Sequence, residues 1–416
     1  MPLRLEDTRS GERLTVRSRP GRPVTMYVCG PTVYDRAHVG HARTYLFFDV
    51  VRRFLTAEGQ RVHHVMNVTD IEDKIDRRAA EVGISWRALA RREEVGFFRD
   101  MRAFGILPPD DCPRASDFAP EIVRVAESLE KTGRVRREGD LWIYSPPEHP
   151  GTVNFPTDPE LARHAVEEPD HPFPRREGAL GEFVIWKRQR PPLPSWNSRW
   201  GPGTPGWHLE CYAMARRILD VPVDVHGGGL DLIYPHHHAE NEIALALDRE
   251  PFSRLFVHTA FVLQDGAKMS KSTGNLISLR AALERSSPGG LRWYLLATPY
   301  RVRLAWNVHA LDAADREFRL LRSHLHRWLA PGAGGTLGAS VVERMAEDAR
   351  SDLAEGLAAD RVIQRLRELS LQLGRDPSDH VAAGERPAAR RALRSVEERT
   401  GIPLVSATVP SGRRSN

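Results

Sequence analysis

The stretch from Thr25 to Leu55 constrains the fold most. A short β-rich run, Thr25-Met26-Tyr27-Val28-Cys29, stops at Gly30-Pro31, and from Gly40 onward Tyr45, Phe48, Val51 and Leu55 recur at helical spacing. The hydrophobic period changes across one turn, which reads as strand, turn, helix. A second apolar run, Val62 to Val68, predicts another strand, and Ile71 to Val82 predicts another helix. Such alternation builds a parallel sheet flanked by helices, and ligands of these sheets bind at the carboxyl ends of the strands.

From Pro108 to Pro205 the regularity gives way to predicted helices separated by proline-rich stretches, Ser145-Pro146-Pro147 and Pro191-Pro192-Leu193-Pro194, so this segment reads as an insertion. The α/β pattern resumes with a helix over Trp207–Leu219, a strand over Val221–Val225 closed by Gly227-Gly228-Gly229, and a helix over Ala239–Leu247. After a glycine- and serine-rich loop from Gly266 to Gly274, helices are expected over Leu311–Leu329 and Ser340–Leu373. The residues beyond Val405 read as a mobile tail.

Charge is only mildly suggestive, with 60 basic against 55 acidic residues among 416 and a formal net charge of +5. It suits an anionic partner without naming one. Cys29, Cys112 and Cys211 are too few for a disulfide framework and fit a reducing compartment. Met1 to Gly21 lacks an apolar targeting core and no long apolar stretch follows, so the expected location is the cytoplasm, away from membranes.

His38-Val39-Gly40-His41 falls at the start of the first helix, where imidazole donors and the helix N-terminus can hold a polyphosphate and Gly40 permits close approach. Lys268-Met269-Ser270-Lys271-Ser272 places two lysines among hydroxyls in a loop, suited to charge developing on a leaving pyrophosphate. In this order and spacing the pair resembles the signature of class I aminoacyl-tRNA synthetases. The resemblance implies that His38, Gly40, His41, Lys268, Met269, Ser270, Lys271 and Ser272 contact ATP, taken with Mg2+, and that His38, His41, Lys268 and Lys271 stabilise the transition state of adenylate formation. The reaction asks for positioning and electrostatics more than for acid–base chemistry.

Cys29 ends the first strand beside this turn, Cys211 follows Trp207-His208-Leu209-Glu210 on a later helix, and Pro235-His236-His237-His238-Ala239-Glu240-Asn241-Glu242 offers a histidine and a glutamate four apart on one helical face. Two thiolates, an imidazole and a carboxylate suit tetrahedral Zn2+.

The strings Cys29-Gly30-Pro31-Thr32-Val33-Tyr34-Asp35, Asn67-Val68-Thr69-Asp70-Ile71-Glu72-Asp73-Lys74, Gly206-Trp207-His208-Leu209-Glu210-Cys211 and His226-Gly227-Gly228-Gly229 resemble cysteinyl-tRNA synthetase from near the N-terminus to about Asn307. The resemblance implies one Zn2+ held by Cys29, Cys211, a histidine and a glutamate, with substrate L-cysteine binding the metal through its thiolate. It also implies a pocket lined by Gly30, Thr32, Thr69, Trp207 and His226. The family reads His-His-Glu-Asn-Glu where this chain has His238-Ala239 ahead of Glu240-Asn241-Glu242. Ungapped counting selects His236 and Glu240; a two-residue slip selects Glu242, with His238.

The implied architecture is α/β, a class I synthetase Rossmann-like parallel sheet with an insertion domain, followed by an α-helical C-terminal region. Its catalytic halves span residues 1–110 and 206–250, the connective insertion 111–205, the Lys268 loop and stem-contact region 251–307, the helical domain 308–405 and the tail 406–416. The implied acceptor is the 3′ end of tRNA(Cys), with Arg292, Arg301 and Arg303 available to phosphates, and the implied state is a monomer. The abbreviated C-terminus resembles instead the mycothiol cysteine ligase, which joins cysteine to a small-molecule amine. That family, however, reads Ile-Thr-Pro-Tyr-Asp after the first zinc cysteine and Asp-Pro where this chain has Asp73-Lys74. A non-catalytic binding protein would need neither lysine of the loop.

Overall fold

In the computed structural model, residues 1–147, 181–264, 267–268, 276–332 and 334–408 are described. Four parallel strands form the central sheet in the order Phe256–Thr259, Val225–Gly229, Val24–Val28, Val62–Met66. The chain leaves Val24–Val28 for one neighbour through the helix Val39–Ala57 and later returns to its other side at Val225–Gly229. The direction of winding therefore reverses between these two strands, and a crevice opens at their carboxyl ends. Cys29 lies directly on it.

The helix Val39–Ala57 buries Tyr45, Leu46, Phe47, Phe48, Val50, Val51, Phe54 and Leu55, more than the single stripe of an amphipathic surface helix. It is covered twice, by the sheet and by the C-terminal helix Arg386–Thr400.

Three of the expected elements change. The Pro108–Pro205 segment holds the helix Ala119–Glu130, but it continues as a four-stranded antiparallel sheet of Val135–Glu138, Leu141–Tyr144, Phe183–Arg188 and Gly203–Pro205. Apolar runs this short carry no decisive period, and the hairpin is made by the two-residue link Gly139-Asp140, with Gly139 at φ 59°. The strand expected over Val221–Val225 runs instead over Val225–Gly229, through the glycines. A Cβ on Gly227 would lie 2.1 Å from the Val257 carbonyl oxygen and 2.5 Å from the Phe48 ring, so the missing side chain lets helix and neighbouring strand close in. The helix expected over Ser340–Leu373 is two, Ala339–Ala354 and Ala359–Arg375, broken where Gly356 and Leu357 take φ of 87° and 52° and Gly356 N–H donates to the Arg4 carbonyl at 2.8 Å. The helix expected over Leu311–Leu329 runs over Val308–Trp328 and precedes them. Of the expected mobile tail, 409–416 lie outside the described residues.

Arg292, expected to face phosphate, is instead fully buried and ion-paired with Asp49, which Arg53 Nε also meets at 2.8 Å. Arg292 donates further to the carbonyls of Gly105 at 3.2 Å and Thr400 at 3.0 Å, stitching the C-terminal helix to the sheet domain. Burial opposes ionisation of Asp49, but the two guanidiniums outweigh it and hold its pKa below the ordinary value. Arg301 pairs with Glu6. Among the described residues no helix is long and apolar enough to cross a membrane.

Removing the shared carboxylate strands two buried cations. Asp49→Ala is expected to lower the free energy of unfolding by about 3–5 kcal/mol in a urea titration; a loss below about 1 kcal/mol would contradict this role.

Candidate active site

The crevice at the strand ends is a cleft of about 300 Å3. One wall is the start of the helix Val39–Ala57. His38 is its N-cap, in extended conformation, and its Nδ1 accepts from the backbone N–H of Gly40 at 3.1 Å and His41 at 3.3 Å. His41 returns the contact, accepting the His38 N–H at Nδ1, and the two rings stack with centroids 3.8 Å apart. A neutral imidazole that accepts through Nδ1 carries its proton on Nε2. Both rings can thus donate from a helix N-terminus, which is an anion-binding arrangement.

The chain beyond the Lys268 loop comes back to this turn. Val39 N–H donates to the Ile277 carbonyl at 3.0 Å, Leu279 N–H to the Ala37 carbonyl at 2.9 Å, and His38 bridges Ser278. Lys268 lies in a short strand opposite Leu263, whereas Met269, Ser270, Lys271 and Ser272 lie outside the described residues.

The opposite wall carries a buried cluster. The Sγ atoms of Cys29 and Cys211 are 3.7 Å apart, Cys29 Sγ is 3.8 Å from Glu240 Oε1, and the same oxygen is 3.2 Å from His236 Nε2. A tetrahedral ion with metal–sulfur bonds of about 2.3 Å sets its sulfurs about 3.8 Å apart, and its shorter nitrogen and oxygen bonds give edges of about 3.3 Å. The three pairs above stand close to such edges, and all four donors lie mutually within 4.8 Å. A second group, Cys29, His226, His237 and Glu240, meets the same 4.8 Å limit. There, however, His226 Nε2 sits 2.7 Å from Glu240 Oε2, a hydrogen-bond length rather than a tetrahedral edge. We therefore read the first group as the one shaped for an ion and His226 as the group that orients Glu240.

The electrostatics favour cation ligands. Burial, the strongest influence on Cys211, opposes the thiolate, yet the Cys29 hydrogen bond and the His236 charge bring its pKa down to about 6. Burial likewise opposes ionisation of Glu240, but His236 and His226 hold it well below the usual carboxylate range. Cys29 is pushed up by burial, then by its neighbours Cys211 and Glu240, so an ion must displace its proton.

Trp207, at the head of the helix His208–Ile218, stacks on His236 with centroids 4.2 Å apart and planes at 15°, and both line the cleft with Cys29 and Cys211. His208 Nδ1 lies 3.0 Å from His236 Nδ1, fixing the ring from its far side. Glu242 is buried on another face of the helix His238–Leu247, beside Tyr144, so the carboxylate that joins the cluster is that of Glu240.

Between the walls, Gly30 N–H donates to Asn67 Oδ1 at 2.8 Å and Asn67 Nδ2 donates to Thr69 Oγ1 at 3.2 Å. A Cβ on Gly30 would lie 1.6 Å from the Asn67 carbonyl oxygen, so no other residue fits. Thr32 pairs with Thr69 across the ends of the two strands. Gly30, Thr32, Gly40 and Thr69 line the cleft, whereas His226 is fully buried behind Glu240, its Nδ1 3.0 Å from the Tyr27 carbonyl oxygen. Sequence reasoning did not single out Asn67 or Tyr45, whose hydroxyl donates to the Cys29 carbonyl at 3.1 Å. Asn67 heads the Asn67–Lys74 segment that carries the family resemblance, whereas Tyr45 is indistinguishable in sequence from a core residue.

Residues 16–316 match the model of the tRNA synthetases class I (C) catalytic domain. The chain belongs to this family. A cysteine--tRNA ligase of Anaeromyxobacter sp. (strain Fw109-5) is 38% identical over 380 residues, covering 88% of this chain and 77% of the relative. An L-cysteine:1D-myo-inositol 2-amino-2-deoxy-alpha-D-glucopyranoside ligase of Thermomonospora curvata is also 38% identical, over 407 residues that cover 95% of this chain and 93% of the relative. In structure the chain resembles Mycobacterium tuberculosis methionyl-tRNA synthetase in complex with methionyl-adenylate, with a TM-score of 0.60 at 18% identity over 92% of this chain and 90% of that one. It also resembles the leucyl enzyme of an Agrobacterium radiobacter ternary complex, with a TM-score of 0.63 at 12% identity over 95% and 87%. At such identities the likeness speaks for the fold alone.

Glu240→Ala is expected to remove most of the bound metal, measured by elemental analysis of the purified protein, while Glu242→Ala retains it. Full retention in Glu240→Ala would contradict the assignment.

Proposed function

We propose that this chain activates L-cysteine with ATP and Mg2+ to cysteinyl-adenylate and transfers the cysteine to the 3′ end of tRNA(Cys), in the cytoplasm and as a monomer. The observation that carries the reading is the meeting, in one cleft, of the His38–His41 N-cap and the Cys29–Cys211–His236–Glu240 cluster. The cysteine--tRNA ligase relatives add support.

The amino-acid carboxylate attacks the α-phosphorus of ATP in line, and pyrophosphate leaves. Nε2–H donors of His38 and His41 meet the phosphate oxygens, and Lys268 and Lys271 stabilise charge on the leaving group. The site supplies alignment and preorganised donors, so no side chain has to move a proton in this step. Zn2+ suits the two-thiolate, imidazole and carboxylate set, and when bound it supplies the selection of substrate, since a thiolate ligates it and the neutral hydroxyl of serine does not. Shape alone separates such isosteres poorly. Thr69 and Asn67 shape the floor of the pocket, and Trp207 walls it beside His236.

A second reading has its own observation. The Thermomonospora ligase aligns along 93% of its length, whereas the Anaeromyxobacter tRNA ligase extends further beyond the match at 77%. On that reading activated cysteine passes to the amine of a small molecule.

Cysteine-dependent exchange of pyrophosphate into ATP is the test of activation, and His41→Ala is expected to slow it about 100-fold or more. Radiolabelled cysteine, ATP and total tRNA should then give acid-precipitable cysteinyl-tRNA. Exchange without precipitable label would favour the small-molecule acceptor; no exchange with zinc and magnesium supplied would overturn both.

A further inference from the structure

Two residues past His41, Arg43 points inward and is only 3% exposed. Its guanidinium donates to four carbonyl oxygens. Nη1 reaches Ala260 at 3.1 Å and Phe261 at 3.0 Å, and Nη2 reaches Pro299 at 2.9 Å and Val302 at 2.5 Å. Among the described residues none of its hydrogen-bond partners is a carboxylate. Burial brings its pKa down to about 10, still charged at neutral pH.

The four acceptors lie on two segments that meet beneath the cleft. Ala260 and Phe261 link the sheet strand Phe256–Thr259 to Val262–Gln264, the strand that pairs with Ala267–Lys268. Pro299 and Val302 belong to the turn before Leu304–Ala305, which pairs with Val262–Gln264 from its other side. The segments also bond each other, Ala260 N–H to the Tyr300 carbonyl at 2.8 Å and Leu304 N–H to the Phe261 carbonyl at 3.0 Å. One planar cation thus fastens the helix that carries His38 and His41 to both segments that support Lys268. A lysine ammonium, a point charge with three donors, cannot span two pairs of carbonyls in this way.

We infer that Arg43 is a positioning residue for adenylate formation, fixing the spacing between the His38–His41 turn and the strand that leads to Lys268. The inference rests on the proposed activation of cysteine. Catalysis by alignment is sensitive to displacements of about 1 Å, and a change of that size costs the chemical step more than binding. Cys29, Cys211, His236 and Glu240 stand on other elements, so substrate and metal binding should be spared.

Arg43→Lys, prepared with zinc, is the test. In cysteine-dependent pyrophosphate exchange its kcat is expected to fall about tenfold or more, with KM for cysteine within about twofold of the parent and bound metal unchanged. A lowered melting temperature with kcat within twofold of the parent would mean a structural role only and would overturn the inference. Should Arg43→Lys fail to fold, Arg43→Gln, whose amide can still donate to one pair of these carbonyls, is measured in the same way with the same split expected; unchanged kcat there would overturn it too. The unmodified chain serves as control. If it shows no exchange, the proposed function fails instead.

Discussion

The carboxylate of Glu240 governs how this cleft is built. Burying an unpaired carboxylate costs several kcal/mol, so a group that is 0% exposed must find its partners inside the protein. One oxygen takes the His226 ring, presented by the central strand, and the other takes His236 and approaches the Cys29 thiol. The helix His238–Leu247 is thereby locked to the sheet at one register. Slip it by one turn and the carboxylate would lose the His226 imidazole. Trp207 and His208 then pack on His236, which places Cys211 against Cys29.

The other wall obeys a different constraint. Its histidines cap their own helix, so their orientation follows from the backbone rather than from a distant partner. What needs fixing is the position of that helix against the segments supporting Lys268, and Arg43 spans that gap from beneath. The two halves of the cleft meet where the winding of the sheet reverses. Cys29 at the end of one strand and the Gly227–Gly229 run in the next are adjacent for that reason.

Much of this was legible in the sequence. The strand, turn and helix from Thr25 to Leu55 appear within two residues at each end, because a period change and a helix start with a histidine cap are local signals. Cys29 and Cys211 with a histidine and a glutamate four apart could be proposed from ligand chemistry and helical spacing, which fit His238 and Glu242 as well; ungapped comparison with the resembled family selected His236 and Glu240. What escaped was set by contacts distant in sequence. The antiparallel sheet of the insertion depends on pairing between short runs that carry no period of their own. The break at Gly356-Leu357 depends on a carbonyl from Arg4, some 350 residues away. Arg292 looked like a surface cation because nothing nearby in the chain announces Asp49. His226 was expected to line the pocket, and the structure places it one layer behind, where it orients Glu240.

The proposed selection of cysteine depends on the Cys29–Cys211–His236–Glu240 group holding a zinc ion that takes the substrate thiolate. X-ray absorption at the zinc edge tests it most directly. The resting protein should show two sulfur and two nitrogen or oxygen neighbours, and cysteine, but not serine, should add a third sulfur. A spectrum with no sulfur neighbours, or one that cysteine leaves unchanged, would contradict it.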